Sequence, residues 1–278
     1  VFGKASTAAG VWEDEPYRVV NHLSSVVDTD NSTREIEGSR GDGNDDYNTI
    51  NMSTGTHQVV GKIGKALDFD GNDDRICLDH VSTDGVFDCS SGESSDIFDD
   101  ADSQTTISLW YWADDFSNDT VQMLFEEGGG TNGINMYIYN SKIHAGAWAS
   151  GNPENWNGNW LITDTTEHTW HNAVFVLNDA INTLTLYHDG VKIGDFTSTK
   201  VEEHAGTDED GLGAATDDTR CSTTASYNQL QCSSGNADSF FDGRLDEFRV
   251  TSTALSEDYI KTSYNTQNDP TNFICEGI

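Results

Sequence analysis

The sequence predicts an all-β protein from three observations: alternating aromatic-rich runs, turns built on Gly and Asn, and scarce proline. Seven Trp, nine Tyr and twelve Phe recur in alternating runs, a pattern that disordered chains lack. Twenty-six Gly against three Pro fit strands joined by tight turns. Hydrophobic residues make up only 35% of the chain, yet 278 residues suffice to bury a sizeable core. No linker divides the middle, so we expect a connector or extended segment at 1–16 and one domain over 17–278.

The elements follow in order. Tyr17-Arg-Val-Val-Asn-His-Leu23 reads as a first strand, and 28–58 as a polar loop rich in Asp, Asn, Gly, Ser and Thr. Strands are expected at 65–70 and 74–79, where Leu67 and Phe69 face one way and Ala66, Asp68 and Asp70 the other. Gly71-Asn72 reverses the chain between them. A loop over 80–104 holds Cys89 and an acidic run at 96–102. The 105–113 segment alternates strictly, with Ile107, Leu109, Tyr111 and Ala113 on one face. Further strands are expected near 121–127, 134–140, 143–149, 169–178, 182–189 and 191–197, the last two joined by an Asp189-Gly190 hairpin turn. After an acidic insertion at 202–239 comes a strand at 240–250, where Leu245 and Phe248 break alternation and imply a bulge. Ser256 as N-cap, with Glu257 and Asp258 in the first turn, predicts one short C-terminal helix over 256–264.

Charge narrows the function. Forty-eight acidic residues against fourteen basic ones give a net charge of −34, a field that repels nucleic acid and anionic membrane. Asp is about twice as frequent as Glu, and Asp favours turns and hard-cation coordination. Two accounts stay open: adaptation to a salty or divalent-rich medium, and bound calcium. No apolar run approaches the length that crosses a bilayer, so membrane insertion is not expected. No signal peptide opens the chain, which would represent an exported protein in mature or excised form.

Five cysteines stand at 77, 89, 221, 232 and 275. Cys77/Cys89 and Cys221/Cys232 each bracket a short polar insertion, which reads as two local disulfides and an extracellular or cell-surface location. Zinc is disfavoured because no CxxC or HxxxH spacing occurs. Cys275 is left as a free thiol or an intermolecular partner. Asn31, Asn51 and Asn118 head glycosylation sequons.

Two segments carry candidate chemistry. The turn after the 65–70 strand sets Asp70, Asn72, Asp73 and Asp74 at a sheet edge, where Ca²⁺ takes oxygen ligands. The segment from 147 to 160 places Trp148, Trp156 and Trp160 among Asn155, Glu154 and glycines, the residue types that stack on and hydrogen-bond sugars. Trp148 and Trp160 also read as core residues at strand ends, leaving Trp156 as the exposed candidate. His171 and His188 read as packed or surface histidines rather than ligands.

Five blocks in order then carry a resemblance: Gly61-Lys-Ile-Gly-Lys-Ala-Leu-Asp-Phe-Asp-Gly-Asn-Asp-Asp74, Ile107-Ser-Leu-Trp110, Trp170-His-Asn-Ala-Val174, Leu184-Thr-Leu-Tyr-His-Asp-Gly-Val191, and Phe241-Asp-Gly-Arg-Leu-Asp-Glu-Phe-Arg-Val250 followed by Ala254-Leu-Ser256. Together they resemble the laminin-G-like, concanavalin A-like jelly-roll superfamily, in its microbial branch close to pentraxins, over about 17–273. Phe2-Gly-Lys-Ala-Ser-Thr-Ala-Ala-Gly-Val-Trp12 resembles the end of a module that precedes this domain in large microbial surface proteins, so the chain is expected to be a piece of something longer.

The resemblance implies two antiparallel sheets of six or seven strands, and a role in binding a surface glycan or protein, often with calcium. It places the last strand beside the first long one, so Asp246 or Asp242 is expected near the Asp70 turn. It also implies a second calcium position at Asp217 and Asp218, with Asn132 as partner, although the Cys221–Cys232 insertion departs from the pentraxin pattern. Catalytic relatives carry E-x-D-x-x-E on one strand; here Asp242, Asp246 and Glu247 have another spacing, and no G-x-S-x-G occurs. No catalytic residue is assigned. The leading expectation is a calcium-stabilised binding or adhesion module. Its rivals are a structural subunit of a filament or surface layer, self-associating through residues 1–16 or Cys275, and a glycoside-active enzyme.

Overall fold

The computed structural model describes residues 17–24, 27–28, 34–37, 46–50, 52, 56–78, 104–116, 120–151, 155–198, 210–216, 218–228, 230, 232 and 239–269, with backbone only for 27–28, 34–37 and 46–50. The 1–16 segment, Cys89, Cys275, Asp217, Glu154, the 96–102 acidic run and the sequon residues Asn31, Asn51 and Asn118 lie outside the described residues.

The strands are β1 (Tyr17–Asn21), β2 (Val27–Asp28), β3 (Arg34–Glu37), β4 (Asp46–Ile50), β5 (Gln58–Val60) and β6 (Lys65–Asp70). Next come β7 (Arg75–Cys77), β8 (Gln104–Ala113), β9 (Gln122–Gly128), β10 (Asn132–Tyr139), β11 (Lys142–Ala149) and β12 (Trp156–Asp164). The remainder are β13 (Trp170–Asn178), β14 (Thr183–His188), β15 (Val191–Thr197), β16 (Gly211–Leu212), β17 (Asp242–Thr251) and the helix α1 (Glu257–Asn268).

They form two antiparallel sheets. The eight-stranded sheet runs β15-β14-β13-β8-β17-β6-β5, with β1 also paired to β17. The nine-stranded sheet runs β12-β11-β10-β9-β16-β7-β4-β3-β2. The order is that of a two-sheet jelly roll, with more strands per sheet than the expected six or seven.

Alternation explains the core. Ile107, Leu109, Tyr111 and Ala113 of β8 face inward and meet Leu124, Ile134, Met136 and Ile138 of the other sheet. Trp110, on the opposite face of β8, packs instead under α1, stacked on Tyr264 with ring centroids 5.5 Å apart. The helix starts where its cap predicts: Ser256 Oγ accepts from Tyr259 N at 3.3 Å. It runs on to Asn268, beyond the expected end at 264.

Three departures have physical reasons. The 28–58 loop contains β3, β4 and the end of β2, which extend one side of a sheet by backbone pairing such as Asn48↔Cys77. Edge pairing uses amides and carbonyls and needs no alternation in the sequence. The 202–239 insertion contributes β16, which bridges β9 and β7. Strand β12 was not expected, and its Asn and Gly residues serve contacts described below.

Candidate functional site

The acidic turn after β6 is organised by its own amides. Gly71, at φ 73°, reverses the chain where a Cβ would lie 2.9 Å from Asp242 Cβ. Asp70 Oδ1 accepts from Asn72 N at 2.9 Å and from Asp73 N at 3.4 Å. Asp74 Oδ2 accepts from Asp70 N at 2.9 Å, with His57 Nε2 at 3.4 Å. Carboxylate oxygens of Asp70, Asp73 and Asp74 lie within 4.8 Å of one another. Asp242 of β17 pairs directly opposite Asp70.

The electrostatics of this corner are unbalanced. Burial opposes ionisation of Asp70, but the Asn72 and Asp73 amides and His57 outweigh it and hold the carboxyl below its ordinary value. Asp74 moves the other way, raised by burial and by the neighbouring Asp70 and Asp73. Asp242 is raised too, by burial and then by Asp114, Asp115, Asp68 and Asp70. Arg244 offsets part of the charge: its Nε donates to Asp68 Oδ1 at 2.9 Å, and it lies over the Trp112 ring. The donors are hard oxygens converging on one turn, so the site fits calcium and not a metal that prefers nitrogen or sulfur.

Asp246 does not join this turn. It pairs with Trp110, four residues along β17 from Asp242, about 13 Å at strand rise. Its Oδ2 accepts from Ile63 N at 2.8 Å instead. Neighbouring strands place residues side by side only at matched register, and Asp242 holds that position.

Asp218 lies beside Gly130, where a Gly130 Cβ would be 3.7 Å from its own Cβ. A guanidinium shares that corner: Arg220 Nε donates to Gly130 O at 2.7 Å and Nη2 to Ser150 Oγ at 2.7 Å.

The tryptophans divide. Trp148 and Trp160 are each 1% exposed and stack at 6.1 Å, so they present no face to a sugar. The loop closed by Cys221–Cys232 covers them. Tyr227 stacks on Trp160 at 5.8 Å, and Asn159 Nδ2 of β12 donates to Ala225 O at 3.1 Å. Below the loop, Tyr137 OH bonds both Ser222 N and Ser222 O. Trp156 is half-buried, one face stacked on Phe196 at 6.2 Å, and Asn155 beside it is exposed. Cys77 is also disulfide-bonded.

The histidines are packed, in a network the sequence did not reveal. His171 Nδ1 and Asp189 Oδ2 are 2.7 Å apart, and Tyr111 OH lies 2.8 Å from His188 Nε2. Burial pushes His188 down to about 4. The other unforeseen group is Glu247, 3% exposed and held between His22 and Arg249. Its only sequence signal was the broken alternation at Leu245 and Phe248.

Two stacked antiparallel sheets with one covering helix define a jelly-roll sandwich. Residues 70–261 match the family model described as the concanavalin A-like lectin/glucanases superfamily, and the chain belongs to that family. No curated protein sequence matches it. Among solved structures, it is similar to domain 4 of an extracellular GH43 arabinanase from Geobacillus stearothermophilus, in complex with arabinotriose. That pair shares 18% identity with a TM-score of 0.53, covering 89% of this chain and 98% of that one. The binding domain of Paraclostridial Mosquitocidal Protein 1 is 16% identical with a TM-score of 0.54, over 88% of this chain and 52% of that one. The receptor binding domain of botulinum neurotoxin D is 11% identical with a TM-score of 0.56, over 91% and 53%. The chain thus spans about half the length of the two toxin domains. Among the described residues, no helix is long and apolar enough to cross a membrane.

Proposed function

We propose that this chain is an extracellular, calcium-stabilised binding module that recognises a surface glycan or protein and has no catalytic role. The observation that carries the reading is the jelly roll itself, which it has in common with domains that bind arabinotriose or receptors. The disulfide Cys221–Cys232 supports an oxidising location. Against catalysis, Asp246 and Glu247 are neighbours on one strand, and Asp246 is fixed to Ile63 N rather than facing Glu247 across a cleft. A glycan array tests the reading: wild-type protein is expected to bind a defined subset of glycans. A blank array would remove the glycan version.

Calcium would be held by Asp70, Asp73 and Asp74, with Asn72 and Asp242 alongside, and would neutralise the charge that raises Asp74 and Asp242. Binding only the folded state, it would stabilise by about 2.7 kcal/mol at a hundredfold excess over Kd. Chelator should therefore lower Tm, and added calcium should restore it. Asp70→Asn keeps an oxygen for the Asn72 and Asp73 amides but removes the charge, so its Tm should no longer respond to calcium. A wild-type Tm that chelator leaves unmoved would sink the assignment.

A further inference from the structure

The bulge in β17 has a chemical consequence on the face that α1 covers. Register shifts between Asp246 and Arg249, which pair with Trp110 and Ser108, so one extra residue enters the strand. Glu247 absorbs it at φ 54°, a left-handed conformation that a side chain disfavours. Leu245 and Phe248 keep their inward places in the core, and Glu247 is turned toward the helix.

Beside Glu247 lies a pocket of about 430 Å³ open to solvent, within the range of small-ligand sites. Its floor is Glu247 with His22 and Arg249; its wall is the helix, through Tyr259, Thr262 and Thr266. His22 Nδ1 lies 2.5 Å from Glu247 Oε1, and Arg249 Nη2 contacts Oε2. A helix lying on a sheet normally turns an apolar stripe downward. Here Ile260 is the only buried residue of α1. Hydroxyl-bearing Tyr259, Thr262 and Thr266 recur on the helix at three- and four-residue spacing and border the open side of the space.

We propose that this cavity binds one neutral saccharide unit, with Glu247 as the anchoring acceptor for its hydroxyls. The ligand class rests on the glycan reading above; the location does not. Each carboxylate oxygen that already takes one donor has capacity for another, and the helix hydroxyls both donate and accept. Tyr259, 46% exposed at the rim, offers an aromatic face to sugar C–H groups. The Glu247 carboxylate is already paired with Arg249 and His22. The floor thus offers polar groups in a charge-balanced set, which suits a neutral polar ligand over an ion.

Saturation-transfer NMR with arabinose, galactose, glucose and mannose tests the site, alongside the glycan array. Thr266 is exposed, so Thr266→Trp blocks the cavity mouth without disturbing the core; Glu247→Gln removes the anchor's charge. Wild type should show transfer to at least one sugar. Glu247→Gln should bind it about tenfold more weakly, the loss expected for a hydrogen bond to a charged group. Thr266→Trp should weaken binding at least as much, because the indole fills the mouth. Undiminished sugar or array binding by Thr266→Trp overturns the pocket while leaving the binding reading intact. An array and sugar panel both blank for wild type overturn the glycan reading and the pocket together.

Discussion

Trp160→Ala should destabilise the fold by about 3–5 kcal/mol, a large share of the stability of an ordinary domain. The indole is 1% exposed, stacked between Trp148 and Tyr227, and its Nε1 donates to Asn135 Oδ1 at 3.1 Å. Truncation leaves a cavity and an amide oxygen without that donor. The backbone has little scope to collapse into the space. A Cβ on Gly146 would meet the indole at 2.3 Å, and Gly158, at φ 102°, approaches its far edge. The chain has placed glycine on both sides to admit this ring. Because Tyr227 and Ala225 rest on β12, the variant should also make the Cys221–Cys232 loop easier to proteolyse. Trp156→Ala is the comparison: half-buried, stacked on Phe196 and donating through Nε1 to Asn159 Oδ1 at 3.0 Å, it should cost clearly less. Denaturant melts compare the two. Equal losses would show that the Cys221–Cys232 loop is not a packed cover.

That division among the tryptophans marks how far the sequence could be read. Strand β8 was legible because one face is core and its alternation is strict. The β14–β15 hairpin was legible because Asp189 and Gly190 take positive φ, 51° and 70°, as their types allow. Helix α1 was legible from its cap. Strands β2 to β4 were not, since backbone pairing at the margin of a sheet needs no alternating pattern in the sequence. Strand β12 was hidden because Asn159 bonds a loop more than sixty residues away instead of continuing an apolar pattern.

The candidate sites follow the same rule. The Asp70–Asp74 turn is local, with amides and carboxylates within four residues, and spacing revealed it. Asp242 followed from strand adjacency, whereas Asp246 was misplaced because adjacency without register leaves position along the strand open. Glu247 and His22 are 225 residues apart, and no local pattern links them. A broken alternation told of an extra residue, but not where its side chain would point.

Asp246→Asn should stabilise the protein, and by more at pH 8 than at pH 5. Burial, and then the neighbouring Glu247 charge, push the Asp246 carboxyl up to about 7 from 3.8, against amide hydrogen bonds that pull it down. The sign follows from proton binding. Below about pH 4 the group is protonated in both folded and unfolded chains, and it contributes nothing. Between about 4 and 7 the unfolded chain releases its proton while the folded chain keeps it, so stability falls as pH rises. Above about 7 the full penalty is present, at most about 4 kcal/mol for a shift of this size. Asparagine can still accept from Ile63 N through its amide oxygen, while carrying no charge at any pH. The difference in Tm between Asp246→Asn and wild type should therefore widen from pH 5 to 7 and level off beyond. A constant difference would mean that Asp246 ionises normally. Glu247 responds in the opposite sense, held below its ordinary value by His22 and Arg249 against the cost of burial. One bulge thus carries an acid that keeps its proton near neutrality beside an acid that has lost it. The first pins the 61–63 turn, whose Ile63 also borders the cavity, and the second faces into it. If Asp246→Asn gains stability yet weakens sugar binding, the buried acid is retained for the shape of the pocket wall and not for the stability of the fold.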